Sequence, residues 1–352
     1  MHKKMAFLYR KPSYLKAIQF LTNYFSKSNS VEIINIDKTN PQIFLNYDIV
    51  FLGLGGLDTN NIINFFDVYD KKPKTISLFP GIVGEEQLDA FITRVRCDLV
   101  LLNSKKNEAV HKKVCKIFNR PYNGFLFGAS WYCPSLIKKS SDSKKLIVFF
   151  EQIDAPSSRK ERSLLVKNLL LFAENNFSFN ILIKPRKEFI GNEKSIVPML
   201  SNCDIPNNLT IVDQEIGDLI NIMDFGITVS SSVAIEALLE NKKIVIINDF
   251  KPIYTKFYNG SGLFRRILEI EPHNLPNVNK TWLEDNLTNP KDRVNLLSEK
   301  IKSLSDYKLQ NDFSMIQLRL FYHFFPIYIK KIIKTRKLVR NALRIITIKK
   351  TT

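Results

Sequence analysis

The run Asp224-Phe225-Gly226-Ile227-Thr228-Val229-Ser230-Ser231-Ser232-Val233-Ala234-Ile235-Glu236 joins an apolar stretch to a helix-like one, with three serines at the junction. Hydroxyls and free N–H groups at the positive end of a helix suit a phosphate. Glu236 stands one turn further on, where a carboxylate can meet ribose hydroxyls or support the serine cap. A plain helix cap is the ordinary reading of an isolated serine triplet; its place at the carboxyl end of a strand favours a ligand. A second strand-like run ends in Lys184-Pro185-Arg186-Lys187, and Lys184 and Arg186 at such an edge can neutralise a diphosphate or a sugar carboxylate. The loop Gly260-Ser261-Gly262, followed by Arg265 and Arg266, permits close backbone approach to the same ligand. An ordinary turn explains it as readily.

Gly53-Leu54-Gly55-Gly56-Leu57-Asp58 follows a strand in the first half of the chain, without the full GxGxxG spacing or an acidic residue about 20 positions on at a strand end. A nicotinamide cofactor is therefore not expected. Gly55 and Gly56, with the turn at Pro80 and Gly81, instead offer an acceptor a place to approach. Asp58 and Glu85 are the candidate general bases, although carboxylates at helix starts are commonly only favourable dipole partners. A GxSxG elbow, a Walker loop, an HExxH pair and a DxD pair are all missing. No divalent metal is expected in the chemical step, and no cofactor beyond a nucleotide-sugar co-substrate.

The elements that must position these residues alternate. Met5–Tyr9, Val31–Ile36, Tyr47–Leu54, Lys74–Phe79 and Asp98–Asn103 read as buried strands. Tyr14–Phe25, Asn60–Tyr69, Glu85–Val95 and Glu108–Phe118 between them carry helical spacing. The grammar repeats after a Ser/Lys-rich stretch. Strands are expected at Leu146–Phe150, Phe179–Ile183, Leu209–Val212, Phe225–Val229 and Lys243–Ile247, and helices at Arg159–Asn175, Ile216–Met223 and Val233–Glu240. Such alternation builds mostly parallel sheets. The expected organisation is an α/β chain of two Rossmann-like domains facing a cleft. Residues 1–134 form the acceptor domain, 135–145 a linker, 146–304 the nucleotide-sugar domain and 305–352 a helical basic tail. A helix from Val294 to about Leu304, or one beyond it, is expected to cross back to the first domain.

The net charge of +18 is concentrated at the end of the chain, where ten basic residues follow Asp312 with no acid among them. They are interleaved with Ile, Leu and aromatic residues, and Pro326 interrupts the run. That pattern suits an interfacial helix on an anionic membrane surface through residues 313–352 better than a nucleic-acid groove. Nucleic acid is not an expected partner. No run is apolar enough to span a bilayer, and nothing suggests a secretory signal, so the expected location is the cytoplasm, at the inner face of the membrane. Cys97, Cys115, Cys133 and Cys203 are scattered and read as reduced thiols.

Taken in order, these segments resemble a group of bacterial glycosyltransferases linked to surface-polysaccharide loci. The resemblance runs through Pro80, Gly81, Glu85 and Arg94, the Lys184–Arg186 strand end and the Val229–Glu236 segment. It closes with Asp249-Phe250, Gly260–Leu263 and Trp282-Leu283-Glu284-Asp285, and so covers roughly residues 75–286. It implies the GT-B architecture, a nucleotide-sugar donor in the second domain and a glycan or glycolipid acceptor over the first, with Arg94 on the acceptor side. The serine segment is also similar to that of capsule transferases that use CMP-activated Kdo or sialic acids. Those enzymes carry a His-Pro turn where this chain has Lys184-Pro185. A teichoic-acid-type polyol-phosphate transferase and a non-catalytic assembly partner are the alternatives. The first usually relies on cleft histidines, and this chain offers no suitable pair.

Overall fold

The computed structural model describes residues 2–132 and 145–304. The first sheet holds β1 (Lys4–Tyr9), β2 (Ser30–Asn35), β3 (Ile49–Leu52), β4 (Lys74–Leu78), β5 (Leu99–Leu102) and β6 (Gly124–Leu126). Helices α1 (Pro12–Phe25), α2 (Gly56–Phe66), α3 (Leu88–Ile92) and α4 (Lys105–Ile117) connect its strands. The second sheet holds β7 (Leu146–Phe150), β8 (Asn180–Lys184), β9 (Leu209–Ile211), β10 (Phe225–Thr228), β11 (Lys243–Ile247) and β12 (Phe264–Arg265). Its helices are α5 (Arg159–Asn175), α6 (Val197–Leu200), α7 (Ile216–Ile222) and α8 (Val233–Leu239), followed by α9 (Lys280–Asn286) and α10 (Pro290–Lys302).

Every strand pair is parallel. The strand orders are β2-β1-β3-β4-β5-β6 and β12-β11-β10-β7-β8-β9. Each sheet therefore reverses direction once, between β1 and β3 in the first and between β7 and β10 in the second. Helices on both faces explain why the strands are apolar without alternation: β3, β5 and β10 are buried along their whole length. Phe7 stacks on Phe51 across the β1–β3 pair at 4.2 Å. In the second sheet Phe149, Ile181, Ile227 and Val245 pack with Leu169 and Phe172 of α5. Each such side chain stabilises the fold by about 1.5–3 kcal/mol relative to exposure.

The expected fold is observed, with local differences. β6 and β12 have three and two residues, too few to leave an apolar run in the sequence. α2 starts at Gly56, earlier than its spacing suggests, because Gly56 lies under Thr93; a Cβ there would sit 2.8 Å from the Thr93 hydroxyl. α9 is a further short helix, held at its start by the Asn279 side chain, which accepts from the Trp282 N–H.

α10 makes the return to the first sheet. The Arg293 Nε–H donates to the Leu126 carbonyl at 2.9 Å, and the Tyr24 hydroxyl donates to Asn295 at 2.8 Å. The chain can pass there because residue 128 is glycine. Gly128 has φ +108°, and a Cβ on it would lie 2.1 Å from the Thr288 carbonyl oxygen. The expected linker at 135–145 (apart from Lys145) and the basic tail at 305–352 lie outside the described residues. Among the described residues, no helix is long and apolar enough to cross a membrane.

Candidate active site

The carboxyl ends of the two sheets meet. Lys16, in the second turn of α1, reaches into the second sheet's territory and donates to both carboxylate oxygens of Glu236 at 2.8 Å. Lys256 bridges to Glu86 at 2.9 Å. Tyr132 donates to Glu240, which Lys291 also approaches at 3.3 Å. Both topological switch points thus open on one cleft, the place where open parallel sheets bind ligands.

On the second sheet, the serine loop is held by neighbours that sequence spacing does not reveal. Gln152, two residues beyond β7, accepts from the Ser230 N–H at 3.1 Å and from its hydroxyl at 2.8 Å. Because β7 and β10 are adjacent at the switch point, the two residues leave neighbouring strands side by side. The buried Tyr258 hydroxyl donates to the Ser231 carbonyl at 2.6 Å. The Ser231 hydroxyl accepts from the Val233 N–H at 3.3 Å. Ser232 takes a helical conformation and makes no side-chain cap. The serines thus form a braced turn into α8 rather than the expected cap.

Three expectations on this side are corrected. Glu236 is 2 % exposed and engaged by Lys16, so its carboxylate is not free to meet a ribose as the structure stands. Burial pushes its pKa up, and Lys16 opposes that. Lys184 is buried and donates to Asp213 at 3.2 Å rather than standing open in the cleft. Lys187 and Lys184 together hold the Asp213 carboxyl below its usual range. Ser261 is fully buried and structural: its hydroxyl accepts from the Leu263 N–H within the turn, where Gly260 and Gly262 both have φ +80°. Arg186 is exposed, and its N–H donates to the buried Glu151. Glu151 also accepts from the Ile196 N–H at 2.6 Å and from the Ser195 hydroxyl.

On the first sheet, Gly55 precedes α2 and Asp58 lies in its first turn. The Asp58 carboxylate accepts from Arg10 at 2.7 Å, and Arg10 also bridges to Asp37. Glu85 faces solvent, 3.7 Å from Lys106. Neither carboxylate is held over the cleft as a poised base. Pro80 and Gly81 form an open turn; a Cβ on Gly81 would meet nothing within 4 Å, and its carbonyl accepts from Asn103 Nδ2 at 3.0 Å.

Arg94 corrects a further expectation. Its side chain is 1 % exposed and cannot touch an acceptor. It donates to the carbonyls of Leu54 at 2.6 Å and Ala90 at 2.7 Å, and its guanidinium lies over the Phe79 ring. Burial lowers its pKa to about 10. Arg94 therefore pins the loops that leave β3 and β4, and it acts on the cleft only through them.

Two facing Rossmann-like sheets of this topology, with both switch points on one cleft, define the GT-B class. Residues 10–304 match the family described as "Putative glycosyltransferase (DUF6716)", and the chain belongs to that family, an enzyme family of the glycosyltransferase class. No curated protein matches by sequence. Among solved structures, the chain is similar to UDP-GlcNAc 2-epimerase from Methanocaldococcus jannaschii in complex with UDP-GlcNAc and UDP. The TM-score is 0.56 at 9% identity, covering 85% of this chain and 100% of that one. It is also similar to S. aureus MnaA in its UDP co-structure, with a TM-score of 0.53 at 11% identity, covering 88% and 99%. At these identities the shared property is the fold.

Proposed function

We propose that the chain transfers a sugar from a nucleotide-activated donor to a lipid-linked or polysaccharide acceptor in lipopolysaccharide or capsule synthesis, without a divalent metal. The observation that carries this reading is the Ser230–Ser232 turn. It is braced by Gln152 and Tyr258 at the β7/β10 switch point, and Lys16 of the facing sheet is docked one turn away on Glu236.

In this reading Ser230, whose N–H and hydroxyl both donate to Gln152 in the structure, turns its hydroxyl from Gln152 to the donor phosphate, and the exposed Arg186 supplies charge at the neighbouring strand end. When the glycosidic bond to phosphate breaks, negative charge builds on the departing nucleotide. Fixed donors aimed at that charge are the main catalytic contribution. The acceptor enters over Gly55, Pro80 and Gly81. Asp58 or Glu85 becomes its base only if closure of the cleft releases it from its present partner.

CMP-linked Kdo or a related ulosonic acid is the donor favoured by the likeness of the serine segment to capsule transferases. UDP and UDP-GlcNAc, bound by the structural neighbours, support a uridine donor instead. Thermal shifts with CMP, UDP, GDP and CDP, with and without magnesium, test the reading. Selective stabilisation by CMP without metal supports the ulosonic-acid donor. Selective stabilisation by UDP or GDP keeps glycosyl transfer and discards that donor. No response to any nucleotide overturns the proposal. The basic tail at 313–352 is proposed to hold the enzyme on an anionic membrane surface, to be checked by sedimentation with phosphatidylglycerol vesicles.

A further inference from the structure

We propose that the outer face formed by α2, α3 and α4 is a docking surface for an anionic lipid bilayer, the one that carries the acceptor. This rests on the reading of a lipid-linked acceptor and deepens it by naming the surface.

β3, β4, β5 and β6 follow one another in one direction across the first sheet. Right-handed crossovers therefore put α2, α3 and α4 side by side on one face, where α2 touches α3 and α3 touches α4. α1 joins β1 to β2 in the opposite direction and lies on the other face, where the Tyr24–Asn295 bond ties α10 to it.

α2 turns an uncharged side outward. Leu57, Asn61, Asn64, Phe65 and Val68 recur at helical intervals through α2 and just past its end, and Leu57 and Val68 are 79 % and 76 % exposed. The one charged residue of the helix, Asp58, is spent on Arg10. α4 does the opposite. It buries Val110, His111, Val114 and Cys115 and leaves Lys105, Lys112, Lys113 and Lys116 exposed on one side. Of the acids on these helices and the loops leading into them, Asp58, Glu85, Glu86 and Glu108 are each bridged by a cation, which leaves Asp89. Lys105, Lys113 and Lys116 make no ion pair among the described residues.

Water solvates the lysines well but gains nothing from a leucine and a valine held almost wholly in it. An anionic bilayer meets both, because its headgroups attract the ammonium groups and its interface takes up apolar side chains. A nucleic acid would use the lysines and leave Leu57 and Val68 in water. A second copy of this face offers no acidic row to meet the lysines. α2 begins at Gly56 and α4 at Lys105, both at the carboxyl edge of the sheet, so a membrane on this face lies beside the acceptor entrance at Gly55.

Full-length protein would be treated with acetic anhydride, alone and with phosphatidylglycerol or phosphatidylcholine vesicles, and the labelling rate of each lysine read by mass spectrometry. On phosphatidylglycerol, Lys105, Lys113 and Lys116 should react at least about fivefold more slowly. The exposed Lys167 on α5 and Lys243 on β11 should keep their rates, and phosphatidylcholine should change none of them. Lys112→Gln, Lys113→Gln and Lys116→Gln together should weaken partitioning onto phosphatidylglycerol on the order of 100-fold, and Leu57→Ser with Val68→Ser about tenfold, with the thermal midpoint of the lipid-free protein little changed. If the α4 lysines react at their solution rate on vesicle-bound protein, or the protein does not bind phosphatidylglycerol at all, the proposal falls. Slowing by an oligonucleotide but not by vesicles would overturn it in favour of nucleic acid, and slowing that grows with protein concentration without lipid would overturn it in favour of a second copy. A nucleotide-induced thermal shift that persists through such a failure keeps the glycosyl-transfer reading, whereas its absence in a protein that docks as expected counts against that reading alone.

Discussion

Replacing Lys16 with Met keeps most of the side-chain stem and removes, among the described residues, the one charge bonded to the Glu236 carboxylate. Stranding one partner of a buried pair commonly costs about 3–5 kcal/mol, but Glu236 has an escape, because it can take up a proton. From its ordinary pKa of 4.5, protonation at pH 7 costs about 3.4 kcal/mol at 1.36 kcal/mol per unit, which caps the loss. At pH 5 the cap is about 0.7 kcal/mol by the same relation. The sign follows from linkage. Burial holds the folded pKa of Glu236 above the unfolded value even with Lys16 in place, and removing Lys16 raises it further, so the variant matches the wild type below the wild-type folded pKa and falls behind as pH rises above it. Urea unfolding of wild type and Lys16→Met at pH 5 and pH 7 reads this directly. The further change Glu236→Gln should recover at least half of the pH 7 deficit. A deficit of equal size at both pH values, or one below about 0.5 kcal/mol at pH 7, would refute the claim that this bridge compensates a buried charge.

Gly128→Ala should destabilise by about 2–4 kcal/mol in urea unfolding, since φ +108° and the Thr288 carbonyl both exclude a Cβ, whereas Gly81→Ala should stay within about 0.5 kcal/mol. Arg94→Lys should cost about 2–4 kcal/mol, because an ammonium cannot reproduce the fork that serves Leu54 and Ala90 together; the change in thermal midpoint checks it. Gln152→Leu should weaken nucleotide binding about tenfold in calorimetry with little loss of stability, by releasing the Ser230 turn.

The two sheets were legible because each strand buried on both faces leaves an uninterrupted run such as Ile49–Leu52 or Phe225–Thr228. The position of the serine turn followed from that. What it touches did not: Gln152 and Ser230 are 78 residues apart and meet only because β10 inserts beside β7. Arg94 and Glu236 carry the residue types of a site, yet burial has committed one to backbone carbonyls and the other to Lys16. Charge in a sequence gives no sign of what will cover it. Lys184 deceived in the same way, since Asp213 arrives from the next strand over.

The return of α10 means that the first lobe of the protein is not contiguous in the chain. Val294, Leu297 and Ile301 are buried on this helix, while Arg293 and Asn295 bond to Leu126 and Tyr24. A polypeptide ending near residue 132 would possess all six strands of its sheet and still lack a wall. During synthesis, that lobe stands unfinished until nearly the whole second lobe has been made. Its exposed apolar seat must wait for a helix more than 150 residues downstream, and premature termination anywhere in that interval would yield an adhesive fragment rather than a smaller working part.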